Sequence, residues 1–231
     1  MKIGIIGAMV EEAALVRERM ELRSCSTLLG MEFAEGTLAG REVVLVVCGV
    51  GKVNAAVCAQ VLVDRFDVTN LVFTGIAGSL DARIDICDIV VSTDCVQHDV
   101  DVSGLGYERG IIPNQDVSIF KADASMRAAA VRAIQEVAPD VKAWEGRVAS
   151  GDQFIASPAA GEYIVKTFGA LCCEMEGASV AHVAWLNDIP FVVIRAISDK
   201  ADGSAEMDYP TFKVAASNRS ASVIERLVEL L

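Results

Sequence analysis

Carboxylates and one arginine cluster at the ends of two apolar runs in the last quarter of the chain. Glu174-Met175-Glu176 follows the apolar segment Gly169–Cys173, and Arg195 and Asp199 fall in Pro190-Phe-Val-Val-Ile-Arg-Ala-Ile-Ser-Asp-Lys200. Phe191–Ile194 is apolar and β-branched behind Pro190, the pattern of a buried strand. Alternation along an extended chain puts Arg195, Ile197 and Asp199 on one face. A charge at the end of a buried strand is costly unless it is paired or used, so these residues form either a structural ion pair or a site. Two neighbouring strands ending in carboxylates favour a site, because ligands of open α/β sheets bind outside the carboxyl ends of strands. Glu12 is a further candidate, at a switch from strand to helix. Glu11 beside it reads as a partner for the helix dipole.

Composition limits the partners. The chain has 231 residues, 53% of them hydrophobic, and a net charge of −12. That supplies a sizeable core and one large α/β domain spanning residues 1–231. No Lys/Arg cluster stands out, so nucleic acid and anionic membrane are not expected partners. The seven cysteines form no CxxC and only two histidines are present. Metal is therefore not expected, His98 with Asp99 and Asp101 being too small a cluster. Free thiols in apolar runs fit a reducing cytoplasm. The apolar N-terminus is too short for a signal peptide, with Glu11 and Glu12 following at once, and no run is long enough to span a membrane.

The elements that must position these residues alternate along the chain. Strands are expected at Lys2–Ala8, Asn70–Thr74, Ile89–Ser92 and Val141–Ala149, and a hairpin at Met31–Leu38 and Arg41–Cys48 around Ala39-Gly40. Helices are expected over Val10–Met20, from Gly49-Val-Gly-Lys-Val-Asn54 to about Arg65, and from an Asp123 cap to about Val137. Others run from Ser157-Pro158 to Phe168, over Gly177–Leu186, and after Tyr209-Pro210. Gly75-Ile-Ala-Gly78 reads as a second glycine turn. The first fails as a P-loop, since Val53 stands where Ser or Thr is needed, and as a dinucleotide fingerprint, since Asn54 replaces the third glycine. Ser103–Asn114 reads as a loop whose Leu105, Tyr107 and Pro113 pack on a ligand or a partner subunit. Alternating strands and helices imply a layered α/β fold, and the hairpin makes the sheet mixed.

With these motifs in order, the chain resembles the 5′-methylthioadenosine/S-adenosylhomocysteine nucleosidases of the nucleoside phosphorylase superfamily. The resemblance rests on Met1–Met9 with Glu12, Gly49–Lys52, Thr74-Gly75 with Ala77-Gly78, and His98-Asp99 with Asp101-Val102. It continues through Gly106-Tyr107, Ser150–Asp152 with Phe154-Ile155, Glu174–Glu176 and Arg195–Asp199. It implies a three-layer αβα sandwich around a central mixed sheet, and hydrolysis of an N-glycosidic bond that releases adenine and a 5-thioribosyl sugar without a cofactor. Asp199 would then be the general acid at adenine N7, which requires a raised pKa. Glu12 would orient and deprotonate the attacking water. Glu176 would grip the ribose hydroxyls, and Arg195 would hold Glu12, Glu176 and water in register.

The resemblance also implies the binding residues. Phe154 would stack on adenine, the Ile155 backbone would read its edge, and Ser198 would place Asp199, with Gly78 in the same set. Met9, Val50, Val102, Met175 and Tyr209 would form an apolar slot for the 5′ substituent. Leu105, Tyr107 and Pro113 of the partner subunit would complete that slot in a homodimer. One departure stands out: Ile76 occupies a position where better-known members carry a hydroxyl. Phosphorolysis is the rival reaction, but it needs cationic and hydroxyl groups near this turn, and Phe73 and Ile76 offer neither. Aminodeoxyfutalosine is a rival substrate. A non-catalytic nucleoside binder would have no use for both carboxylates.

Overall fold

The computed structural model describes residues 1–201 and 205–231, with side chains in the last segment at 210–212, 215 and 218–231. Among the described residues, ten strands and six α-helices alternate. β1 (Lys2–Gly7) leads into α1 (Val10–Arg19). β2 (Glu21–Leu28), β3 (Met31–Leu38) and β4 (Arg41–Val47) follow, then α2 (Lys52–Phe66) and β5 (Asn70–Ser79). β6 (Ile89–Gln97), β7 (Ile119–Lys121), α3 (Ala124–Val137), β8 (Ala143–Ser150) and α4 (Pro158–Phe168) come next. The chain ends with β9 (Cys172–Glu174), α5 (Gly177–Leu186), β10 (Phe191–Asp199) and α6 (Ala205–Leu230). Asp123 caps α3 as its sequence predicts, its carboxylate accepting from the amides of Ser125 and Met126, each at 2.9 Å.

The sheet is mixed. β5 pairs in parallel with β1 and β10 and antiparallel with β9. Because β10 pairs both β5 and β6, the strands β5-β10-β6-β8-β9 close on themselves, and β1, β4, β3 and β2 extend the sheet outward from β5. Strand alternation divides the buried side chains into two cores. Leu71 and Phe73 of β5 and Phe191 and Val193 of β10 face α2 and α5. Val72 of β5 and Val192 and Ile194 of β10 face α1, α3 and α6. Both faces are covered, and this is why these strands read as continuous apolar runs. Arg195 belongs to the alternation of Phe191 and Val193, so the sheet points it into the α2/α5 layer.

Several expectations change. Gly75–Gly78 is no turn: β5 runs unbroken from Asn70 to Ser79, and all four of these residues pair with β10. β10 carries Arg195, Ile197 and Asp199 on one strand, as expected, and is buried along its whole length to Asp199. β2 is missing from the sequence reading because its side chains, mostly exposed, carry no apolar face. The final helix begins at Ala205 with Pro210 inside it rather than before it. Tyr209, expected at the 5′ slot, has a side chain that lies outside the described residues.

Candidate active site

Glu12 reaches the site from the first turn of α1. Its carboxylate turns back over the helix N-terminus, accepting from the amides of Ala8 at 2.6 Å and Met9 at 2.8 Å through Oε2. Oε1 accepts from Ile76 N at 3.2 Å. The same side chain thus closes the end of α1 and sits on β5. Burial, at 3% exposure, pushes its proton affinity above the usual carboxylate value, and the Arg195 charge and the three amides pull it back. A base must be ionised to act, so activity resting on Glu12 is present above that raised pKa and is lost as pH falls through it.

Asp199 ends β10 beyond an irregularity in register between Ile197 and Asp199 against β5. It is 2% exposed. Its Oδ2 accepts from the Ser198 hydroxyl at 2.9 Å and its Oδ1 from Ala201 N at 2.9 Å. The glycines of β5 explain how two carboxylates reach a packed strand. A Cβ on Gly75 would lie 2.9 Å from Glu12 Oε1, and one on Gly78 would lie 2.7 Å from Asp199 Oδ1. Glycine inside a strand here marks the close approach of another group.

Glu176 stands at the N-terminus of α5. Its Oε1 accepts from Gly51 N at 2.7 Å. Gly51, at φ +99°, opens α2, so the first glycine turn presents its backbone to a side chain of the site. Burial, followed by repulsion from Glu174, raises the proton affinity of Glu176.

Arg195 does not bond Glu12 or Glu176. It pairs with Glu174, Nη2 to Oε2 at 2.7 Å and Nε to the same oxygen at 3.3 Å, both side chains being buried. Its Nη1 donates to the carbonyls of Phe73 at 3.1 Å and Ile194 at 3.0 Å, and its guanidinium lies 4.0 Å from the centre of the Phe73 ring. Glu174 also accepts from the Ser150 hydroxyl and from the amides of Glu176 and Gly177. Arg195 therefore acts on Glu12 and Glu176 through charge, from beneath, while Glu174 takes its hydrogen bonds. The sequence reading missed Glu174 as the anchor. The signal was present in Glu174-Met175-Glu176: a buried arginine requires an acid partner, and either glutamate of that cluster could supply it.

Glu12, Glu176, Ser198 and Asp199 open on one cavity of about 320 Å³. Met9, Val50, Ile76, Gly78, Phe154 and Met175, all named from the sequence, line it too. Ala8, Ala77, Cys173 and Glu174 complete the wall. Ile155 borders a small adjoining recess with Phe154 and Asp199. Val102, Leu105, Tyr107 and Pro113 do not line either space. Leu105 is 78% exposed and Tyr107 39% on the loop after β6, and Phe154 presents half its surface to solvent. A larger hollow of about 570 Å³ lies between Leu80 and α4. It contains none of the four buried acid and serine groups, so the smaller cavity is the candidate site.

An apolar cavity with one carboxyl on the sheet end and another on a helix N-terminus is the apparatus of an acid–base enzyme for a small neutral molecule. A family model described as the phosphorylase superfamily matches residues 2–229. The chain is 40% identical over 232 residues to a 5′-methylthioadenosine/S-adenosylhomocysteine nucleosidase of Shewanella pealeana, the whole of both chains being covered. The structure matches that of a 5′-methylthioadenosine/S-adenosylhomocysteine nucleosidase from Helicobacter pylori with butyl-thio-DADMe-Immucillin-A. The TM-score is 0.95 at 35% identity, over 100% of this chain and 99% of that one. It also matches a futalosine hydrolase of Helicobacter pylori, with TM-score 0.94 at 34% identity over 100% and 98%. The chain belongs to the phosphorylase superfamily, within its 5′-methylthioadenosine/S-adenosylhomocysteine nucleosidase family. The expected α/β nucleoside phosphorylase-like fold holds.

Proposed function

We propose that this chain, as a single domain of residues 1–231, hydrolyses the N-glycosidic bond of 5′-methylthioadenosine and S-adenosylhomocysteine, giving adenine and the 5-thioribosyl sugar. The observation that carries the reading is the pair of buried carboxylates, Glu12 and Asp199, opening on one cavity, each oriented by local donors to both of its oxygens. Protonated Asp199 donates to N7 of adenine, so the base leaves neutral rather than as an anion. The ribosyl ring gains oxocarbenium character as the bond lengthens. Water attacks the anomeric carbon and gives its proton to Glu12. One water is consumed and both products leave neutral. Ser198 orients Asp199 through its hydroxyl, and Glu176 accepts from the ribose hydroxyls with its orientation set by Gly51 N.

Water is favoured over phosphate as nucleophile because the cationic group under the cavity is engaged. Arg195 spends its donors on Glu174 and two carbonyls, and Phe73 and Ile76 bring no hydroxyl. Phe154, half exposed beside Ile155, is placed to stack on the base, with Met9, Val50 and Met175 toward the 5′ group. The exposed Leu105, Tyr107 and the half-buried Pro113 and Val102 fit a slot completed across a homodimer, the first three serving the neighbouring subunit's cavity. Tyr107→Ala should then weaken binding of 5′-thio substrates while adenine affinity holds; unchanged KM for them would remove the partner contribution. Five buried free thiols, Cys48, Cys58, Cys95, Cys172 and Cys173, accord with a place in the cytoplasm. No helix among the described residues is long and apolar enough to cross a membrane.

A second reading, supported by the likeness to a futalosine hydrolase, keeps the chemistry and changes the 5′ group to that of aminodeoxyfutalosine. Release of free adenine from 5′-methylthioadenosine in phosphate-free buffer tests the proposal, with the other two nucleosides ranked beside it by kcat/KM. Turnover that starts only when phosphate is added would replace it with phosphorolysis.

A further inference from the structure

Three charged residues of the sequence motifs carry no role in the chemistry above: Lys52 of Gly49–Lys52, Asp99 of His98-Asp99 and Asp152 of Ser150–Asp152. They lie on three separate loops, after β4, β6 and β8, and they meet. Lys52 Nζ bonds Asp99 Oδ1 at 2.7 Å and Gln97 Oε1 at 3.1 Å. Asp99 Oδ2 accepts from Asp152 N at 3.0 Å. Asp152 Oδ1 accepts from Lys52 N at 2.8 Å. The circuit is closed: each residue bonds both of the others, using backbone as well as side chain. The Lys52 and Asp99 side chains are largely shielded, at 19% and 18% exposure, so the pair is screened less than an open surface pair. The Lys52 ammonium and the Asp152 amide hold the Asp99 carboxyl below its usual pKa, against the opposing effect of burial. His98, next to Asp99, packs against Gly151, where a Cβ would fall 2.5 Å from its Nε2. That contact fixes the second loop to the third.

Each loop leads directly to a different part of the cavity. Lys52 follows Gly51, whose amide holds Glu176. Asp152 precedes Phe154, which lines the cavity, and Ile155, which borders the adjoining recess. Asp99 precedes Val102 and the exposed loop with Leu105 and Tyr107. We propose that Lys52, Asp99 and Asp152 are positioning residues that lock these three loops in one register. They set the distance between the carboxylate that grips the sugar and the ring that stacks on the base. None of the three lines the cavity, so they act through Gly51 and Phe154 and not on the reacting atoms. The inference rests on the reading of the cavity as a nucleoside site.

Two measurements test it, one of which needs no substrate. Amide hydrogen exchange on the ligand-free chain should show faster exchange at Gly51, Lys52 and Asp152 in Asp99→Asn and in Lys52→Met, with the cores of β5 and β10 unchanged. In adenine-release kinetics each variant should raise KM about tenfold, the usual worth of a hydrogen bond to a charged group, with kcat within about threefold of wild type. The double variant should be no worse than either single one, because both break the same circuit. Lys52→Met also covers the case in which Asp99→Asn does not fold. Unchanged exchange at the three amides would overturn the lock. So would additive KM effects, or a lower melting temperature with KM unchanged, which would assign the circuit to stability alone. A wild-type chain that releases no adenine would instead refute the nucleosidase reading, and the exchange result would still decide whether the loops are locked.

Discussion

Asp199→Asn should bind 5′-methylthioadenosine and turn it over about 10²–10⁴ times more slowly, the usual contribution of a positioned general acid. The amide matches the carboxyl in shape. Its oxygen can still accept from Ala201 N or from the Ser198 hydroxyl, the donors Asp199 uses at 2.9 Å each. What it cannot do is deliver a proton to N7. The loss should therefore fall on kcat, with KM little changed or lower, since an interaction made only in the transition state has been removed. Steady-state kinetics on both nucleosides, with the melting temperature as a folding control, reads the split. A variant within about threefold of wild type in kcat would remove Asp199 from the role of acid, the smallest expected loss being about a hundredfold.

The second large effect is on stability. Arg195→Met should destabilise the fold by about 3–5 kcal/mol, the cost of stripping a partner from a buried ion pair. For a chain of this size each kcal/mol moves the melting temperature by about 2–4 °C, so a fall of about 6–20 °C is expected. The reason lies in what is left behind. Glu174 would stay buried with three neutral donors and no countercharge, and the Phe73 and Ile194 carbonyls would lose their shared donor. Arg195→Lys should restore little, because one ammonium cannot replace a planar fork serving Glu174 on one side and two carbonyls on the other. Adding Glu174→Gln to Arg195→Met should recover part of the loss, since the orphaned charge is removed with its partner. Thermal melts of the wild type, Arg195→Met, Glu174→Gln and the double variant give the cycle. A drop of under about 1 kcal/mol in the single variant would mean that the pair contributes no more than an exposed one.

Much of the site was legible in the sequence because its residues sit where elements change. Glu12 follows a strand and opens a helix, Glu176 does the same, and Asp199 closes a buried strand. These positions need only the order of elements to be recognised. The caps at Asp123 and Ser157-Pro158 were legible for a related reason: each is a local bond between a side chain and the backbone two or three residues on. Gly75 and Gly78 were read as a turn, and they are strand. Glycine announces either a bend or a close neighbour, and here the neighbours, the carboxylates of Glu12 and Asp199, are 63 residues upstream and 121 downstream in the chain (75 − 12 and 199 − 78). No local pattern distinguishes the two. The partner of Arg195 was misplaced for the same reason. Sequence indicated that a buried arginine required an acid, but the register of β10 on β5 and the path of β9 decided for Glu174 over Glu12 and Glu176. β2 was invisible because an exposed strand paired on one edge has no apolar period to read.

In the proposed reaction, water activated at Glu12 is the nucleophile in this cavity. The direct measurement is a turnover of 5′-methylthioadenosine by the purified chain in ¹⁸O-labelled water with phosphate present, followed by mass spectrometry of the sugar. Free 5-methylthioribose carrying one labelled oxygen at its anomeric carbon is expected, formed at the same rate with and without phosphate. A sugar 1-phosphate without label would contradict it, and would make the chain a phosphorylase in action as well as in superfamily.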